Sequence, residues 1–359
     1  MKRFLFILPS LIIIFFIILY LINDKLNIDK IIKKIENDFG ISIKLEEKKK
    51  WEYYPKLKYQ NNLSLKMIND NLIIENSNIN ISRNYKIISP VIINFESPSI
   101  LYKGINFRNS IINTEHYKKY LHINKFYADV IDGNINLSAK FDLYKEKKIS
   151  IKGYYNNIAL NQVFKQLNIS NWERVQIKLS SSNFLINTIN ASSREIIENL
   201  NGHIDINGSA FFVSTEEERF GAIFLKLLAD KFINLSSISQ SLSYILETFA
   251  DTPSDILGKI IIKNGVLITK NLLISNKKEK SLLSANIDLK TNFINGKIDL
   301  FKDNNIFLTV ELKGSIENPK ILIGGDALTN QENSQRQDVK EIFEKGIKSI
   351  LNNIINQND

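Results

Sequence analysis

The residues of this chain that could do chemistry are few and poorly grouped. His116, His122 and His203 form no H-E-x-x-H pair. His116 and His122 lie an even number apart and so could share a sheet face, but no carboxylate pair accompanies them to complete a metal site. All three read as solvated strand or loop histidines. Glu216, Glu217 and Glu218 form an acidic triplet, which suits the positive end of a helix better than a Ca²⁺ or catalytic role. Asn207-Gly208-Ser209 lacks the neighbours of a nucleophile elbow and reads as a turn. There is no G-x-x-x-x-G-K-[ST] phosphate loop and no G-x-G-x-x-G. The chain has no cysteine, which excludes disulfides, thiolate metal sites and a cysteine nucleophile. The expectation is a protein that is not an enzyme and that carries no metal and no cofactor.

Charge adds little to this. The formal net charge is +9, which raises nucleic acid or an anionic surface as a partner. The lysines alternate along strand-like runs instead of clustering, and no zinc-finger spacing, aromatic RNA-binding signature or basic arm is present. No nucleic acid is expected as a partner.

The elements that must position any site begin with residues 4–22, FLFILPSLIIIFFIILYLI, which carry no charge. As a helix they span about 28 Å, close to the roughly 30 Å of a hydrocarbon core. No small-residue cleavage pattern follows, so the segment reads as an uncleaved single-pass anchor after a cytoplasmic tail at 1–3. The short tail with Lys2 and Arg3 sets the body outside the cytoplasm, against the count of Lys25, Lys30, Lys33 and Lys34 beyond the span. Residues 23–40 form an amphipathic juxtamembrane helix, with Leu26, Ile28, Ile31, Ile32, Ile35 and Phe39 near helical spacing and Gly40 as its stop.

Residues 41–190 form an N-terminal β region. Strand patterns run over 41–46, 71–82, 86–102, 134–144 and 149–155, with Pro90 and Pro98 as edges, kinks or breaks between strands. Residues 191–255 form a helical insertion with connecting segments. Helices are expected at 161–167, at 192–200 behind a Ser192 cap, at 215–232 and at 239–249.

Residues 256–326 form the clearest β region. Ile260 and Ile262 share a face, opposite Lys259, Ile261 and Lys263. Leu283, Ala285, Ile287 and Leu289 alternate with polar residues, as do Ile306, Leu308, Val310 and Leu312. Asn264-Gly265 and Asn295-Gly296 read as hairpin turns. The result is an antiparallel meander with one oily and one polar face. Residues 327–359 supply a polar linker and an amphipathic helix carrying Ile342, Phe343, Ile347, Ile350, Leu351, Ile354 and Ile355. The whole amounts to roughly 16 to 18 strands at the usual spacing of about 4.8 Å.

The order of these parts resembles the AsmA family of inner-membrane-anchored periplasmic proteins. The span, short helix, Phe39-Gly40, strand and Tyr54-Pro55 look like the family's opening. Ser89-Pro90-Val91 and Ser97-Pro98-Ser99 resemble its proline-punctuated strands, and residues 189–212 its short helix leading into a glycine-flanked strand. Asn264-Gly265-Val266, the strands around Leu272 and Ile287, and Val310 to Gly314 followed by Asn318-Pro319 resemble its C-terminal region. The body is short for the family, and Ala285 or Ser284 stands where a glycine is usual.

The resemblance implies a mainly β fold with helices. After the N-terminal transmembrane helix comes an elongated, curved antiparallel sheet with an apolar inner face, then short helices in the middle and a C-terminal amphipathic helix. It also implies a bacterial inner (plasma) membrane location with the body facing the periplasm, membrane lipids as partners, and a role in phospholipid transport or outer-membrane biogenesis. The lipid would lie on the apolar face formed by Ile260, Ile262, Leu272, Ile274, Leu283, Ile287, Leu289, Ile298, Leu300, Ile306, Leu308 and Val310. Envelope proteins are a further class of partner, through the C-terminal helix. Periodicity alone shows sheets with one oily face. The alternative is a closed β core in a non-enzymatic envelope assembly or regulatory protein that acts through protein contacts.

Overall fold

The computed structural model describes residues 33, 41–46, 52, 55–67, 72–84, 89–117, 119–142, 147–166, 175–189, 192–214, 216, 240, 243–316, 318–324 and 337–338. These residues are mainly β, with seventeen strands and a few short helices. The chain divides into two compact units. One takes the residues up to Glu173 with Lys178–Asp205 and Ile262–Gly265. The other takes Arg174–Ile177, Ile206–Ile261 and the residues from Val266. The boundary therefore runs through strands β9, β10 and β11.

The first unit is an antiparallel meander. Its strands are β1 (Ile41–Leu45), β2 (Leu57–Met67), β3 (Leu72–Arg83), β4 (Val91–Tyr102), β5 (Ile105–Tyr117), β6 (Tyr120–Val130), β7 (Gly133–Asp142), β8 (Lys148–Ala159) and most of β9 (Val175–Ile189). Each pairs with the next in sequence. One cross-strand row runs Asn61, Ile79, Phe95, Ile112, Phe126, Leu137, Gly153 and Phe184. The next runs Tyr59, Ile81, Ile93, Thr114, Ile123, Ala139, Ile151 and Ile186. Because side chains alternate at period two, these rows share one face. Most of that face is buried: Ile74, Ile79, Ile93, Leu121 and Ala128 are all buried, Val163 of helix α1 (Leu160–Gln166) joins the cluster, and Ile123, Leu137 and Ile186 are half-buried against it.

The meander turns tightly because its loops take positive φ. Lys103-Gly104 and Ile131-Asp132 do so at both positions, the type I′ geometry whose twist matches antiparallel strands. Pro98, expected at an edge, a kink or a break between strands, lies inside β4 as a local irregularity. The ladder skips it on both sides, Asn76 and Asn109 beside it take φ of 48° and 49°, and Ser97 Oγ donates to the Ser99 carbonyl at 2.9 Å. The missing N–H is thus absorbed locally. Helix α2 (Ser193–Glu198) starts at the expected Ser192, whose hydroxyl accepts from the Glu195 N–H while Glu195 reaches back to the Ser192 N–H, a capping box.

The second unit holds the rest of β10 (Asn201–Phe212), most of β11 (Ser254–Lys263), then β12 (Val266–Ser275), β13 (Lys280–Asp288), β14 (Phe293–Lys302), β15 (Asn305–Ser315), β16 (Asn318–Gly324) and the two-residue β17 (Gln337–Asp338). From β12 onward each strand pairs antiparallel with the next. Strand β10 falls within 191–255, after helix α2. Asn264-Gly265 turns the chain as expected, with φ of 49° and 77°. Asn295-Gly296 does not: both residues sit inside β14 and the turn is made at 289–292. An Asn-Gly pair can be a turn only where strands end, and here the ladder continues through it.

Among the described residues no helix is long and apolar enough to cross a membrane. The expected anchor at 4–22, nearly all of the helices at 23–40 and 215–232, and the C-terminal helix lie outside them.

Candidate functional site

The histidines are dispersed. His116 stands opposite Leu121 and His122 opposite Glu115. The hairpin between β5 and β6 therefore puts the two histidines on opposite faces, overturning the expectation of a shared face. Even spacing keeps a face only along one uninterrupted strand, and here a turn intervenes. His203 Nε2 lies 3.2 Å from Asn183 Nδ2 at an exposed position. Among the described residues no group of three or more His, Cys, Asp or Glu side chains is arranged to hold a metal ion.

The apolar face of the second unit is the other candidate. Its register defines three cross-strand rows. The first is Leu272, Leu283, Ile298 and Val310, the second Thr269, Ala285, Gly296 and Leu312, and the third Leu267, Ile287, Ile294 and Gly314. A bulge at Lys270-Asn271 preserves this phase. Asn271 takes φ of 54° and its N–H donates to Ser284 Oγ at 3.1 Å, so that Thr269 and Leu272 both stay on the apolar side.

The middle row is made of small residues on three consecutive strands. Thr269 Oγ1 donates to the Lys259 carbonyl at 3.0 Å, so its hydroxyl is satisfied and its methyl is free to face apolar groups. A Cβ added at Gly296 would lie 3.3 Å from the Ala285 Cβ and 3.8 Å from the Leu312 Cβ. The floor is therefore a trough between two ridges of branched side chains. Ridge residues Leu267, Leu283, Ile287, Ile298 and Val310 are half-buried, whereas Leu272 and Ile294 on the same ridges, and Ala285, Thr269 and Gly296 between them, are buried.

One end of this face is closed. Leu300 and Leu308 are buried under Tyr244, Ile245 and Phe249, carried by helical residues 243–248 and the turn after them. The Tyr244 ring packs 4.7 Å from that of Phe307, and its hydroxyl donates to the Phe301 carbonyl. Burial, with Glu279 and Asp303 adding to it, pushes the Tyr244 phenol up to about 12. The opposite face of the same strands is polar and carries the Lys297–Asp299 and Lys313–Glu311 ion pairs at 2.9 and 3.0 Å.

The residues expected to bind lipid therefore separate. Leu283, Ile287, Ile298 and Val310 share the half-exposed ridges with Leu272, which is buried. Leu300 and Leu308 belong to the closed end, in the row that also holds Ile274. Ile306 is 41% exposed beyond a bulge at Leu300/Phe301, Leu289 is buried at the turn between β13 and β14, Ile260 is half-buried on β11, and Ile262 is buried in the first unit. Sequence reasoning did not pick out Thr269 and Gly296. The signal for Thr269 was hidden by the bulge, and Gly296 was assigned to a turn. No protein-family model matches the chain, and no curated protein or solved structure matches it.

Proposed function

We propose that this is a membrane-anchored, AsmA-like envelope protein that holds lipid acyl chains on the apolar face of its second unit, in phospholipid transport or outer-membrane biogenesis. The periplasm-facing orientation, the anchor at 4–22 and an elongated, curved groove are parts of that reading. The observation that carries it is the contrast between the two apolar faces. The first unit's face is buried along β3 to β6 and half-buried at Ile123, Leu137 and Ile186. The second unit's face leaves Leu267, Leu283, Ile287, Ile298 and Val310 half-exposed on two branched ridges along a floor of small residues.

Each buried methylene contributes about 0.8 kcal/mol. About ten methylenes in such a trough would offset much of the cost of drawing a tail out of a bilayer, and no catalytic residue is needed for that. Lipid extraction from the protein purified without residues 1–40 tests the reading. Stoichiometric phospholipid is expected. Clean, stable, lipid-free protein overturns it and favours the closed-core alternative, which the buried first unit already fits.

A further inference from the structure

The first unit carries a second arrangement, on the face away from its buried cluster. Alternation puts Tyr127, Asn136 and Tyr154 on the side opposite to Phe126, Leu137 and Gly153. They form one cross-strand row over β6, β7 and β8. Asp129 and Asn134 stand in the adjoining row, between Arg108 and Asn156. All of them belong to the first unit.

Both tyrosines are tied down by their hydroxyls. Tyr127 Oη donates to Asp129 Oδ1 at 2.6 Å, two residues along its own strand. Asn136 Nδ2 donates to the Tyr154 hydroxyl at 2.9 Å, from the position directly opposite. A ring whose far end is held by a neighbour on its own face leans along the sheet instead of standing off it. Tyr154 is nonetheless 42% exposed. Asn109 Nδ2 donates to the other carboxylate oxygen of Asp129 at 2.8 Å. The hydrogen bonds from Tyr127 and Asn109 hold the Asp129 carboxyl below the usual carboxylate range. A carboxylate has about four acceptor sites, so Asp129 keeps acceptor capacity for hydroxyl donors. Lys125 Nζ lies 5.8 Å from the centre of the Tyr127 ring.

Two aromatic rings laid on a sheet, with donors and acceptors around them, match a sugar chain. The C–H groups on a pyranose face pack against the electron-rich face of an aromatic ring, while its hydroxyls require hydrogen-bond partners. The charges nearest the rings, on Arg108, Lys125 and Asp129, are of both signs, which suits an uncharged polyol better than a phosphate-rich partner. Tyr127 and Tyr154 stand two strand spacings apart, about 9.6 Å. In an extended β-1,4-linked chain every second sugar presents the same face, at close to that repeat. The sugar between them would then lie over Asn136.

We propose that the row Tyr127, Asn136 and Tyr154 is a binding platform for an extended β-1,4-linked glycan, which crosses β6, β7 and β8 with alternate sugars on the two tyrosines. This does not rest on lipid binding by the second unit.

Calorimetric titration of the full-length protein, held in a sugar-free detergent, with chitohexaose, cellohexaose and maltohexaose tests it. Saturable binding of chitohexaose or cellohexaose is expected. Maltohexaose, whose α-linkages coil the chain, should bind about ten-fold more weakly or less. This selectivity is read on the unaltered protein and needs no variant. Tyr127→Ala and Tyr154→Ala should each weaken binding about ten-fold, whereas Tyr127→Phe and Tyr154→Phe keep the ring and should restore most of it. Phe293→Ala, at an aromatic residue 48% exposed in the second unit, should bind like the parent. Binding of neither β-linked sugar, equal binding of all three sugars, or parental binding by both folded alanine variants overturns the platform.

Discussion

Gly296→Leu is the substitution that most directly fills the trough. The added Cβ meets Ala285 at 3.3 Å and Leu312 at 3.8 Å, so Ala285 must give by a few tenths of an ångström while the rest of the side chain stands in the trough. Gly296 lies inside a strand, where exchanging glycine for a larger apolar residue also removes a backbone entropy cost. The body should therefore stay folded. The leucine brings four carbons to the floor and displaces about as many lipid methylenes. At about 0.8 kcal/mol each this is a loss of about 3 kcal/mol, or about two orders of magnitude in affinity. Binding of a fluorescent phospholipid, read beside a circular dichroism melt, measures both quantities. The double variant Ala285→Gly/Gly296→Leu relieves the tight contact and should show the same loss of binding. If Gly296→Leu folds and binds lipid like the parent, the trough is not the binding surface.

The closed end and the open ridges should respond differently to charge. Leu308, which is fully buried, should lose about 3 kcal/mol or more as Leu308→Asp. Ile287→Asp, on a half-exposed ridge, should melt closer to the parent while losing lipid, and equal collapse of both in thermal melts contradicts an open face. Gly153→Ala should strongly destabilise the first unit, because a Cβ there lies 2.2 Å from the Asn136 carbonyl oxygen and 2.8 Å from the Leu137 Cβ; a melting temperature within a degree of the parent contradicts that packing. Burial raises Tyr155 and Tyr244 to about 12 from the ordinary 10.0. The fold holds the neutral phenol, so this contribution is complete below pH 10 and is lost as pH rises through 12. Phenolate absorbance should show part of the tyrosines titrating late, together with alkaline unfolding, and uniform titration near 10 in the folded protein contradicts it. A compartment-sensitive reporter fused after Asp359 should read outside the cytoplasm, and cytoplasmic activity overturns the proposed orientation.

How much of this was legible in the sequence depended on whether a local rule met an interruption. Ser192 and Glu195 spelled out the start of α2, and the alternation around Ile287 and Leu308 gave the strand faces, because nothing interrupts the pattern there. Strands β5 and β6 were missed although they lie deep in the first unit's ladder. Register shifts between Arg108 and Ile111, at Asn113/Thr114 and between Ile123 and Phe126 reset the phase of their alternation, and asparagine is not a residue of typical strands. Asn295-Gly296 misled for a related reason: it is a local breaker that strands paired on both sides override. The mostly buried and the half-exposed faces could not be told apart from composition, since Ile and Leu line both. What separates them is a tertiary fact, the burial of most of one face and the half-exposure of ridge residues on the other.

The central claim is that lipid lies on the ridged face of the second unit. The most direct measurement is the mapping of sites labelled by a phospholipid with a photoactivatable group on its acyl chain. The account predicts labels on Leu267, Leu283, Ile287, Ile298 and Val310. Labels confined to the polar face at Ser284, Lys297 and Glu311, or to residues 4–22 alone, would contradict it.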